Sequence, residues 1–114
     1  NISAMSFGAL SANAILALNL GAKRGGFAHD TGEGSISRHH RTHGGDLIWE
    51  IGSGYFGCRD ASGHFSPERF VENVSSPQVK MVEIKRWPNA LYKAKSMADT
   101  LTPKRAAASR SICT

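Results

Sequence analysis

The sequence predicts an α/β protein built on parallel strands, and three observations carry that expectation. Short apolar runs alternate with helical patterns at intervals that suit βαβ units. Two helices have explicit start signals, Ser11 before one and Ser66-Pro67 before the other. Glycine-rich turns follow the strands, at the ends where ligands gather in this class of fold. At 114 residues the chain can hold one modest core and is much shorter than a complete (β/α)8 barrel of ~250 residues.

Residues 2–5 read as a first short strand, and the chain, beginning with Asn1 directly before it, reads as a piece of a longer one. The turn Ala4-Met5-Ser6-Phe7-Gly8-Ala9-Leu10-Ser11 follows. It offers a hydroxyl in Ser6, exposed backbone N–H groups and, at Gly8, a backbone that a flat ligand can approach closely. Ser11 caps a helix over residues 12–20, whose apolar stripe is Ala12, Ile15, Ala17, Leu18 and Leu20. Gly21 is expected to end it, with Lys23 and Arg24 beyond the negative end of the dipole. Phe27 and Ala28 read as a short buried strand running into His29-Asp30-Thr31-Gly32-Glu33-Gly34.

Residues 35–45 form a polar loop with His39, His40 and His43. Their spacing contains i,i+3 and i,i+4 pairs, yet Arg38 and Arg41 interleave and no third ligand is suitably placed, so a surface loop is expected and no metal ligands are assigned. Residues 47–51 are the next strand. A glycine-punctuated loop over 52–59 follows, in which Cys58 beside Arg59 is either a thiol of lowered pKa or, as favoured here, a buried structural one. A helix over 67–74 and a strand over 79–84 complete this region. Beyond Lys85 the character changes: 90–97 can form a basic helix, and the stretch from Pro103 has the composition of disorder.

The net charge of +5 is unevenly placed. Through Val79 acidic and basic residues nearly balance; from Lys80 on, eight basic residues face only Glu83 and Asp99. The positive charge belongs to the tail, which argues against a nucleic-acid-binding fold. No apolar run approaches the ~20 residues that span a membrane. Two cysteines with neither a disulfide framework nor metal spacing point to the cytoplasm.

Two further features carry chemistry. Gly32-Glu33-Gly34 sets a carboxylate between residues without side chains, giving a ligand access to it; a plain turn with a solvated glutamate is the alternative. Lys85 ends the last strand, where it can bind an anionic group or extend to water.

The stretch from Asn1 to Ser11 resembles the start of the FMN-binding domain of glutamate synthases, in particular the stand-alone FMN-binding glutamate synthase family. The resemblance continues in order through 26–34, 43–49, 51–59, 65–70 and 77–85. It implies that residues 1–85 are the N-terminal fragment of a (β/α)8 TIM barrel, followed by a divergent basic tail, 86–114, that is disordered or helical. It further implies that Met5, Ser6, Gly8 and Ala9 lie against FMN, and that Glu33 and Lys85 line a pocket for 2-oxoglutarate or 2-iminoglutarate. The implied reaction is reductive formation of glutamate. The physical chemistry agrees, since an anionic dicarboxylate needs a cation and an iminium can use a carboxylate.

The sequence also departs from the family. Arg86-Trp87-Pro88-Asn89 stands where the family has a glycine-rich closing segment, and Ser35 stands where it has a second glycine. The strands that hold the FMN phosphate and the three cysteines of an iron–sulfur cluster are not in this chain. The rest of the barrel, or an oligomer, is therefore expected to complete the site, and the chain by itself to be inactive. Two other readings compete: a truncated or frameshifted remnant without activity, and a module whose basic tail binds an acidic partner.

Overall fold

A computed structural model describes residues 1–85. The expected helix over 90–97 and the stretch from 103 onward lie outside the described residues. The element order is α1 (Ala12–Gly25), β1 (His29–Asp30), α2 (Arg38–Arg41), β2 (Leu47–Ile51), α3 (Pro67–Val74) and β3 (Val79–Ile84). The three strands form one parallel sheet whose spatial order, β1-β2-β3, follows the sequence. Among the described residues no helix is long and apolar enough to cross a membrane.

α1 begins as its sequence dictates, with the Ser11 side chain accepting a hydrogen bond from the Ala14 N–H at 3.2 Å. It ends later than expected. Gly21 stays helical, and the cap is Gly26, at φ +67°, whose N–H is donated to the Ala22 carbonyl. The buried positions of α1 are Ile15, Asn19 and Ala22, whereas Ala17, expected in the apolar stripe, is exposed. Asn19 is tolerated there because its Oδ1 accepts the Gly45 N–H at 3.0 Å, tying α1 to the start of β2.

The first two strands are shorter than expected. Only Ile2 pairs, in parallel, with His29: its N–H reaches the Ala28 carbonyl at 2.8 Å and its carbonyl accepts from Asp30 N–H at 3.2 Å. β1 offers a ladder of two residues, so among the described residues Ser3 to Met5 have no strand to extend against. The strand also sits two residues beyond its expected place, on His29 and Asp30, while Phe27 is 42% exposed. The predicted polar loop contains a single helical turn, α2, closed by a capping box between Ser37 and His40.

β2 is buried along its whole length, as a central parallel strand should be. On the face toward α3, Trp49 and Ile51 join Tyr55 and Cys58 in the core, with Ile36, Phe65, Phe70, Val74, Val79 and Val82 packed around them. Trp49 stacks on Phe70 at 5.6 Å between ring centroids. α3 starts on Ser66 and Pro67 as the sequence indicates. Cys58 is fully buried, as the structural reading expects, and that burial pushes its thiol up to about 11. Arg59 lies instead over the Phe56 ring at 4.2 Å.

Candidate functional site

Glu33 owes its position to a turn held from several sides. The Asp30 carboxylate accepts the Gly32 N–H at 2.9 Å, a local bond of the kind that shapes Asx turns. Thr31 Oγ1 donates to the Gly32 carbonyl at 3.0 Å and accepts the Glu50 N–H at 3.1 Å, fastening the turn to β2. Ser6 Oγ accepts the Gly34 N–H at 3.1 Å, which joins the first turn of the chain to this one. Gly32 sits at φ +68°, and a Cβ there would lie 2.6 Å from both the N and the Oγ of Ser6. Gly32→Ala is therefore expected to part the two turns. Hydrogen exchange at the Gly34 amide should accelerate at least tenfold; unchanged protection would show that Ser6 does not hold it.

Lys85 arrives from the far side. Its backbone N–H continues the parallel ladder to the Ile51 carbonyl at 3.0 Å, which fixes where the side chain leaves the sheet. Its ammonium makes an ion pair with Glu33, 52 residues away in sequence. The hydrogen bond to Glu33 holds the lysine above its ordinary range, so it is a cation at any physiological pH. Gly52 makes room for the pair, since a Cβ there would come within 2.8 Å of Glu33 Oε2. Gly52 was not singled out by sequence reasoning, although its place directly after a buried strand was a signal.

The structure thus brings Ser6, Glu33 and Lys85 to one rim. Met5 reaches the same rim, as its carbonyl carbon would lie 2.9 Å from a Gly32 Cβ. Gly8 and Ala9 are placed on the exposed side of the first turn. Their amides differ from expectation: the Gly8 N–H is donated to the Leu10 carbonyl at 3.2 Å and that of Ala9 to the Ser6 carbonyl at 3.1 Å. These donors are consumed within the turn because it closes on itself. What remains for a ligand is space, for Gly8 has φ +113° and a Cβ there would meet nothing within 4 Å.

The histidines also differ from expectation. Only His39 and His43 are partly exposed, whereas His40 is fully buried against His29, with ring centroids 5.1 Å apart. Both rings leave Nε2 buried without a hydrogen-bond partner. The Ser37 N–H donates to His40 Nδ1 at 3.0 Å, which places the ring's proton on Nε2. Burial, with His29, His39 and Arg41 nearby, depresses His40 to about 4. Ser35 is at φ +70°, a conformation in which glycine is the unstrained choice.

A parallel sheet that brings a carboxylate and an ammonium together at the carboxyl ends of its strands defines the chain as an α/β protein. The chain belongs to the glutamate synthase family: the family model described as "Conserved region in glutamate synthase" matches residues 1–85. It is 43% identical over 84 residues to the glutamate synthase large subunit-like protein YerD of Bacillus subtilis (strain 168). That match covers 73% of this chain and 16% of the relative, so the chain spans about a sixth of that protein's length. No solved structure matches.

Proposed function

We propose that residues 1–85 open the barrel of an FMN-dependent glutamate synthase, with Lys85 and Glu33 facing the 2-oxoglutarate or 2-iminoglutarate. The observation that supports this best is the Glu33–Lys85 ion pair, made across 52 residues beside the contact of Ser6 with Gly34. The first turn fits a flavin by its open face at Gly8 rather than by amide donors; Met5, Ser6, Gly8 and Ala9 would hold the ring. When bound, FMN supplies the hydride that reduces the substrate's C2.

The residues of this chain do the rest. Lys85 holds a substrate carboxylate by charge-assisted hydrogen bonds. Its present partner is easily exchanged, because ion pairs this exposed are largely screened by water. Glu33, released from Lys85, accepts a hydrogen bond from the iminium N–H and keeps the proton on the substrate nitrogen. Because the chain is a small part of its relative, activity is assigned to the completed barrel, in the reducing cytoplasm that suits a buried free thiol.

The test joins residues 1–85 to the matching remainder of a complete family member. Lys85→Ala should weaken 2-oxoglutarate binding by roughly 10- to 100-fold, the scale of a lost hydrogen bond to a charged group. The flavin content, read from visible absorbance, should not change. Glu33→Gln should slow turnover more than it lowers flavin content. If both variants kept wild-type kinetics, these two residues would not carry the reaction.

A further inference from the structure

The α3 side of β3 carries an apolar corner that the described residues leave open. In the parallel ladder Trp49 stands beside Val82 and Ile51 beside Ile84, so these side chains share the face that α3 covers. Burial stops short along that row: Ile51 is 1% exposed, whereas its register partner Ile84 is 53% exposed. Val71 of α3 is 55% exposed, although Phe70 beside it stacks on Trp49. The other flank of α3 is occupied, because Arg41 of α2 donates to Asn73 Oδ1 at 2.9 Å. By helical spacing Asn73 and Val71 lie on opposite sides of the Phe70–Val74 row that faces the core. Val71 therefore turns away from α2, toward the side where β3 ends the sheet.

The sequence after β3 fits this corner. Arg86-Trp87-Pro88 is a connector of the length usual between a strand and the helix after it. Asn89 is a favoured helix cap and Thr102-Pro103 a stop, which frames residues 90–101. Within that frame Ala90, Leu91, Ala94, Met97, Ala98 and Leu101 recur at the spacing of one helical face. Lys93, Lys95, Ser96, Asp99 and Thr100 fall on the other. A helix over this frame is ~18 Å long, close to the ~20 Å of β3. Lys93 and Lys95 border its apolar face on the two sides, while Glu68 and Glu72 are exposed on α3 near Val71. Whichever border lies next to α3, a lysine there meets a carboxylate, which adds selectivity more than strength.

We propose that residues 90–101 form an amphipathic helix that docks on the corner of Val71, Val82 and Ile84, beside α3. The tail is then the covering element of β3, and its lysines are the margins of a docked helix rather than a site for an acidic macromolecule. An isolated helix of this length is marginal in water, so its formation and its docking are one event. The inference is independent of the proposed glutamate chemistry, since it needs neither flavin nor substrate.

The experiment is amide hydrogen exchange on the intact 114-residue chain. Amides 94–101 should exchange roughly tenfold or more slowly than those of 104–114, because their helical hydrogen bonds form only on docking. Val71→Asp and Ile84→Asp charge the corner from outside the segment, at exposed positions, and each should remove most of that protection. Leu91→Asp should do the same from the segment's side without touching the sheet, so it decides the case where a corner variant fails to fold. Met81→Asp is the control: Met81 is 54% exposed but is the register partner of Ile48, on the opposite face, and protection should be unchanged. Protection should also be constant over about a hundredfold range of protein concentration, as it is intramolecular. Segment amides exchanging as fast as 104–114 would overturn the proposal. So would protection that survives Leu91→Asp and the corner variants, or that Met81→Asp removes equally. Protection that grows with concentration would assign the corner to a second copy of the chain and overturn it too.

Discussion

Trp49→Ala should unfold the chain. The indole is fully buried on β2, stacked on Phe70, and is the largest side chain in a core whose other fully enclosed members are few. Truncating a buried aromatic costs about 3–5 kcal/mol through lost transfer energy and the cavity left behind. Whole domains are held by only ~5–15 kcal/mol, and a three-stranded sheet with an exposed β3 edge belongs at the lower end. Collapse into the gap cannot recover much, since Ile51 and Cys58 are already at full burial. The indole also has a weakness of its own: Nε1–H is buried without a partner. Trp49→Phe removes that orphaned donor and keeps most of the ring, so it should be much milder than Trp49→Ala. Urea unfolding followed by far-ultraviolet circular dichroism separates the cases. A Trp49→Ala midpoint equal to wild type would mean that the sheet is not held by this core.

The helices that the sequence announced are those whose start is a local event. Ser11 accepting from Ala14, and Ser66 followed by Pro67, are decided within four residues, so the starts of α1 and α3 were legible. The end of α1 was not, because glycine permits a stop without requiring one. Gly21 continues the helix, and the chain stops where Gly26 adopts the left-handed conformation. β1 was misplaced for a tertiary reason. His29 and Asp30 look like loop residues, yet they pair with β2, with Asn19 Nδ2 3.5 Å from His29 Nδ1 and the Gly32 N–H donated to the Asp30 carboxylate. α2 was hidden because the residue that answers its Ser37 cap is a histidine, His40, an unusual partner in a capping box.

The candidate site was legible in the same uneven way. Glu33 stood out through its two glycines, and Lys85 through its place at a strand end, but nothing in their spacing joins residues 52 apart. The family resemblance set both at one pocket without pairing them, and the sheet register explains why they meet: Lys85 follows β3 alongside Ile51, directly before the Gly52 that accommodates Glu33.

The buried histidine pair should make this fold sensitive to acid well above the range where carboxylates titrate. His40 has a folded-state value of about 4 against 6.5 when unfolded, and His29 is lowered by burial as well. A base depressed in this way favours folding in its neutral form. Between pH 6.5 and about 4 the unfolded chain takes up a proton that the folded chain refuses, so stability falls as pH falls through that window. By pH 4.5 the loss from His40 alone should reach about 2–3 kcal/mol, at 1.36 kcal/mol for each pH unit of differential binding. Glu50 works in the opposite direction, because its raised value favours the folded state as it protonates, so the total profile is a sum of opposed effects. A variant isolates the histidine. In His40→Asn the amide oxygen takes the place of Nδ1 and can still accept from the Ser37 N–H, while the titrating group is gone. The substitution carries a packing cost that does not vary with pH, so wild type should be the more stable at pH 7.5 and lose that advantage by pH 4.5. Urea midpoints at the two pH values measure the difference. Parallel losses in the two proteins would mean that water reaches the His40 ring and that its burial does not oppose protonation.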